Sequence, residues 1–164
     1  MSIRWVLVDG YSVLHAWPRF TAKKSGLRTL HQRRDALIRL LRQYADQTGR
    51  RVTVVFDAHS AKHSPGADVP ETGLEVWYSK KAQSADEMIE RSVAESPHRA
   101  SILVVTSDHL ERSLVEGFGA QSISAAAFEP EMQIGLDDLA GLVRQHGHRK
   151  RSLSSGWPQH PPAS

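Results

Sequence analysis

The 164-residue chain contains no cysteine, which excludes a disulfide framework and any thiolate metal site. It also lacks a long hydrophobic run. The N-terminal stretch Met-Ser-Ile-Arg-Trp-Val-Leu-Val is too short, and too soon ended by Asp9, for a signal peptide or a membrane span. A cytoplasmic location, with no membrane partner, is therefore expected. Glycine-rich phosphate loops are missing too. Gly117-Phe-Gly119 is not GxGxxG, and no GxxxxGK followed by Ser or Thr occurs. Nor is there a large excess of one charge, because 21 Lys/Arg against 18 Asp/Glu leave a net charge of +3.

What is present is ordinary in amount and uneven in placement. Hydrophobic residues make up 40% and charged residues 24% of the chain, which suits one globular domain large enough to bury a core. Residues 1–51 hold 11 Lys/Arg against 3 Asp/Glu, residues 52–148 hold 7 against 15, and the remainder adds 3 basic residues and no acid. An acidic half beside a basic half suits a cation-loaded site flanked by a phosphate-gripping surface. Solvated helix faces would account for the charges equally well.

Short apolar runs alternate with helical patterns along the chain. Ile3 to Val8, Val52 to Phe56, Leu74 to Tyr78 and Ile102 to Thr106 read as buried strands, with a brief fifth at Gln121 to Ser124. Leu30 to Gln47 has apolar residues at helical spacing, with Gly49 as its stop and Arg33, Arg34, Arg39 and Arg42 forming a basic surface. Ser84-Ala-Asp-Glu87 has capping-box spacing and opens a helix to about Glu95. A short helix follows Asp108, closed by Gly117 and Gly119, and helical segments near Ala125–Met132 and Leu136–His146 complete the domain. Residues 58–72 read as a long loop. The domain is expected over 1–147, and 148–164 as a basic, Pro/Ser-rich disordered tail. The alternation specifies an α/β fold, a helix–sheet–helix sandwich around a mainly parallel sheet of four or five strands.

That fold gives the aspartates a position. Three strands run into Asp9, Asp57 and Ser107-Asp108, and Asp86 lies in the first turn of the helix after the other strand. In a parallel sheet all four carboxylates converge at one edge, where α/β proteins build their sites. Each has an innocent explanation. Asp108-His-Leu-Glu111 is itself a capping-box spacing, Asp86 suits a helix dipole, and Asp57 suits a loop start. Collectively they repel unless a cation sits among them. Oxygen ligands without sulfur point to Mg²⁺ or Mn²⁺, which can activate water and neutralise a phosphodiester.

The blocks Leu7-Val-Asp-Gly-Tyr-Ser-Val-Leu-His-Ala-Trp17, Val55-Phe-Asp-Ala58, Tyr78-Ser-Lys-Lys-Ala-Gln-Ser-Ala-Asp-Glu-Met-Ile-Glu90 and Val105-Thr-Ser-Asp108 resemble the NYN domain of the PIN-like nuclease superfamily. The likeness is greatest to the bacterial YacP-type endoribonucleases, and it extends more loosely through Gly117 to Ser124. The resemblance spans about residues 3–135. It implies a PIN-like fold, a divalent-metal site and endonucleolytic cleavage of RNA, with messenger RNA as substrate and the ribosome as a partner of some members. By position, Asp9, Asp86 and Asp108 match the catalytic, metal-holding acids, Asp57 matches a further catalytic acid, and Glu87 lies where related domains often carry a second metal-side acid. Ser12 departs from the family, which usually has Asn there. A serine hydroxyl can still bond a phosphate or a metal-bound water.

Candidates for gripping RNA are Ser12, His15, Lys80, Lys81, Arg19, Lys23 and Lys24, with Arg28 beside them. Trp17 and Tyr11 can stack a splayed base or pack into the core, with packing favoured. His15 has a backbone-bonded role as its equal alternative, and His109 ranks low. Arg149-Lys-Arg151 can add sequence-independent affinity. A PIN-like RNA-binding module without catalysis is the alternative function. A small-molecule phosphohydrolase fits poorly, because Tyr11 stands where an aspartyl-nucleophile enzyme commonly has a second acid.

Overall fold

Five parallel strands run β1 (Trp5–Asp9), β2 (Arg51–Phe56), β3 (Leu74–Tyr78), β4 (Ile102–Val105) and β5 (Gln121–Ile123), in the spatial order β3-β2-β1-β4-β5. The computed structural model describes residues 2–21, 26–27, 29–57, 73–80 and 82–137. The expected loop at 58–72, the expected tail and the boundary at 147 lie outside them. The helices are α1 (Gly10–Ala16), α2 (Pro18–Thr21), α3 (Leu30–Thr48), α4 (Ala85–Glu95), α5 (His109–Gly117) and α6, described over 125–137. No described helix is long and apolar enough to cross a membrane.

Side chains of the central strands alternate between two cores, as the strand period of two requires. Val6 and Val8, Val54 and Phe56, and Leu103 and Val105 face α1, α3 and α6, where Val13, Leu37, Leu41, Tyr44, Phe128 and Met132 meet them. Leu7, Val55, Ile102 and Val104 face the other way, onto Ile89 and Val93 of α4 and Val115 of α5. Burying a leucine such as Leu37 or Leu41 stabilises the fold by about 2 kcal/mol. This is the expected three-layer helix–sheet–helix sandwich around a parallel sheet.

Helix α3 begins with a capping box between Thr29 and Gln32 and ends at Gly49, whose φ of 68° is the left-handed cap glycine provides without a steric penalty. Its basic surface is narrower than the sequence suggests. Arg39 and Arg42 are exposed, but Arg34 is only 8% exposed, next to the buried stripe of Leu37, Leu41 and Tyr44. The two segments expected around 125–132 and from 136 are one helix across their junction. Gly135 does not break it, since its face sits against Tyr44, whose ring lies 3.7 Å from where a Cβ would be.

Two features of the sheet position the site. The chain lays β2 and β3 on one side of β1, then crosses to lay β4 and β5 on the other, so its direction reverses between β1 and β4. A crevice opens at such a switch point, beyond the carboxyl ends of the two strands. Register makes those ends flush: Val8 pairs with Val105, so Asp9 and Thr106 emerge side by side.

Candidate active site

Asp9 leaves β1 and immediately caps α1. Its Oδ1 accepts the Ser12 backbone N–H at 3.5 Å and its Oδ2 accepts the Ser12 hydroxyl at 2.9 Å. The turn is tight enough that only glycine fits next, because a Cβ on Gly10 would lie 2.3 Å from the Phe56 ring. The Ser12 hydroxyl also accepts the Ser107 N–H at 3.1 Å, tying the end of β1 to the end of β4. Burial pushes the Asp9 carboxyl upward. Its bonds from Ser12 oppose this, and the charge of Asp86 adds to it.

Asp86 is the second residue of α4, and that helix start is fixed from two directions. Ser84 and Glu87 form the expected capping box. The Asp57 carboxylate, just past β2, accepts the Ala85 N–H and the Ser79 hydroxyl, each at 3.0 Å. Asp57 therefore holds the start of α4 in place, and it lines the same cavity as Asp9 and Asp86.

The third carboxylate is Glu111. It lies on α5 and is only 2% exposed. Its Oε2 accepts the Thr106 hydroxyl at 2.9 Å, while its Oε1 is buried with no hydrogen-bond partner. Thr106 Oγ also lies 3.4 Å from Asp9 Oδ2 and accepts the Asp108 N–H at 3.2 Å, so one fully buried hydroxyl links two acids and the start of α5. Asp9, Asp86 and Glu111 each offer an oxygen, and these oxygens lie within 4.8 Å of one another. Burial, then the adjacent Asp86 carboxylate, pushes Glu111 up to about 9. Three carboxyl groups this close repel one another when ionised; metal-free Glu111 avoids this by holding its proton, and a small divalent cation would let all three serve as hard oxygen ligands. The residues present fit such an ion.

The other expected residues are placed as follows. The Asp108 carboxylate caps α5, accepting the N–H groups of Leu110 at 2.9 Å and Glu111 at 3.3 Å. The capping box expected there is only half formed, because Glu111 turns inward instead of back to the Asp108 N–H. Asp108 is not in the carboxylate trio, although it borders the same groove as Asp86 and Glu111. Glu87 bonds the Ser84 N–H and is exposed. His15 and Tyr11 line a cavity of about 470 Å³ with Asp9, Ser12, Asp57 and Asp86. Tyr11 packs edge-on against Phe56 and His15. Trp17 is not available to a base: it is fully buried, stacked on Phe20, and donates from Nε1 to the Ala125 carbonyl at 2.7 Å. Arg19 pairs with Glu129 at 3.6 Å, and Lys80 is exposed just past β3. Lys23, Lys24, Arg28 and Lys81 lie outside the described residues.

A parallel sheet of order 3-2-1-4-5 with carboxylates gathered at its switch point defines a doubly wound α/β protein with an acidic site beyond its strand ends. The sequence profile of the YacP-like NYN domain family matches residues 6–160, and the chain belongs to that family. It is 37% identical over 156 residues to protein YacP of Bacillus subtilis (strain 168), spanning 93% of this chain and 85% of that one. A crystal structure of Rae1 (YacP) from Bacillus subtilis matches with a TM-score of 0.70 and 33% identity, over 93% of this chain and 85% of the other. A tryptophan-to-leucine variant of Rae1 matches with a TM-score of 0.60 and 32% identity, over 95% and 86%. The family supports a nuclease or RNA-related role.

Proposed function

We propose that this protein is a divalent-metal-dependent endoribonuclease that hydrolyses phosphodiester bonds of messenger RNA, with the ribosome as its working partner. One observation carries the metal: oxygens of Asp9, Asp86 and the buried Glu111 lie within 4.8 Å of one another, an arrangement that must take up either a proton or a metal cation. Bound Mg²⁺ or Mn²⁺ supplies positive charge to the phosphodiester and makes water more acidic.

The chain's own residues do the rest. Asp9, Asp86 and Glu111 hold the ion, with Asp108 at the border of the groove as a further acid. Ser12 and Thr106 orient the Asp9 and Glu111 carboxylates through the bonds they donate. Asp57 keeps Asp86 in register through the Ala85 N–H. His15 and Tyr11 form the wall of the cavity on which the RNA strand lies, and exposed Lys80 meets a phosphate. The retained, mutually repelling acids favour catalysis over an RNA-binding role without cutting.

The test uses 5′-labelled RNA with the purified chain and Mn²⁺. Cleavage is expected, is abolished by chelator, and falls at least about a hundredfold in Asp9→Asn, in line with removal of a group that acts on the transition state. Intact RNA in the presence of Mn²⁺, both for free transcripts and for translating messages, refutes the catalytic reading. Salt-sensitive RNA binding that ignores metal then identifies a binding module.

A further inference from the structure

Helix α5 is amphipathic in the wrong sense for its position. Its buried residues are Glu111 and Val115, whereas Leu110 and Leu114 are 80% and 44% exposed and Phe118, just past its end, is 36% exposed. These three recur every four residues and so form one apolar stripe along the helix. Scattered exposed leucines need no explanation, but a contiguous stripe marks a contact surface.

The stripe is one wall of a groove whose other wall is α4. Two adjoining hollows, of about 510 and 420 Å³, share Glu90 and Leu114, so the groove runs from Asp108 to Phe118. The α4 wall carries Glu87, Glu90 and Glu95 against Arg91, and Arg99 stands over the Phe118 ring at the far end of the groove. Away from an ion held at Asp86 and Glu111, such a surface repels a phosphate backbone and favours a cationic occupant over RNA. It complements a helix with one apolar face flanked by lysine or arginine.

We propose that the α4–α5 groove docks a basic amphipathic helix of a partner protein. Apolar side chains of that helix rest on Leu110, Leu114 and Phe118, and its cations face Glu87, Glu90 and Glu95. Because the groove ends at Asp86 and Asp108, the partner sits beside the candidate active site while leaving the cavity of His15 and Tyr11 open. The inference does not depend on the nuclease reading.

The experiment titrates the full chain into a fluorescein-labelled synthetic helix of about 18 residues, with leucine on one face and lysine on the others, and follows anisotropy. Binding with Kd on the order of 10 µM is expected, weakening as salt is raised to about 0.5 M. Leu114→Ser and Glu95→Lys each weaken it about tenfold, since each removes one class of contact. A matched helix with glutamate for lysine does not bind. Both altered residues are exposed, and Phe118→Ser repeats the apolar test should Leu114→Ser fail to fold. Unchanged affinity in these variants, or no binding by the native chain, overturns the proposal. So does a photocrosslinker at Leu114 that joins, without peptide, to residues 138–164 or to a second copy, because the occupant is then this chain itself.

Discussion

Replacing Glu111 with Gln should make the metal-free protein more stable at alkaline pH. Burial and the neighbouring Asp86 raise the Glu111 carboxyl from 4.5 to about 9. Between those two values the folded state holds a proton that the unfolded chain has released. Stability is therefore fully present below the unfolded pKa and is lost as pH rises toward the folded one. One unit of pH is worth about 1.4 kcal/mol, which sets a ceiling of about 4 kcal/mol between about pH 5 and pH 8. Relaxation and water entry around the ionised form reduce that to about half, so ~2 kcal/mol is the expected loss. The amide of the Glu111→Gln variant cannot ionise, yet its oxygen can still accept the Thr106 hydroxyl. Urea unfolding in chelator, followed by tryptophan fluorescence, should give a stability that falls with pH for the native chain and a much flatter line for Glu111→Gln. Asp9 is also raised and leaves a small residual slope of the same sign. Adding Mn²⁺ at about a hundred times its Kd should stabilise the native chain by ~2.7 kcal/mol and leave the variant unmoved. A flat pH dependence in the native chain, or an equal slope in both proteins, refutes the reasoning.

Two further outcomes follow from the same geometry. Thr106→Val removes the hydroxyl between Glu111, Asp9 and the Asp108 N–H; it should cost ~1–3 kcal/mol and slow RNA cleavage without weakening RNA binding, and Thr106→Ser should restore both, read by thermal melts and single-turnover kinetics. Gly10→Ala drives a methyl group into the Phe56 ring and should destabilise by ~1–3 kcal/mol in urea titrations, with Phe56→Leu in the same chain recovering part of the loss.

Most of the fold can be read in the sequence because its signals are local. The strand from Leu74 to Tyr78, the capping box at Ser84 and the stop at Gly49 occur as the residue pattern specifies. Two errors arose where packing overrides pattern. Arg34 reads as surface from its charge, yet it lies against the α3 core. The segments near 125–132 and from 136 read as separate, yet α6 runs through Gly135, which packs beside Tyr44. Helices α1 and α2 escaped notice because each is short and is stabilised by contacts made elsewhere, such as the Trp17 bond to Ala125.

The sequence by itself determined that aspartates end the strands and that a parallel sheet brings them to one edge, since strand polarity and the alternation of elements are properties of the chain. Only the tertiary structure decided which carboxylates meet. Asp108 and Glu111 are one helical turn apart with the same chemistry, and their spacing suits a reciprocal cap. Packing α5 against β5 and α4 aims the third residue of that helix into the crevice and leaves the residue before the helix to bind its free N–H groups. Which face of a short helix turns inward depends on its neighbours, so Glu111 emerged as the third acid only once β4, α4 and α5 were in place together.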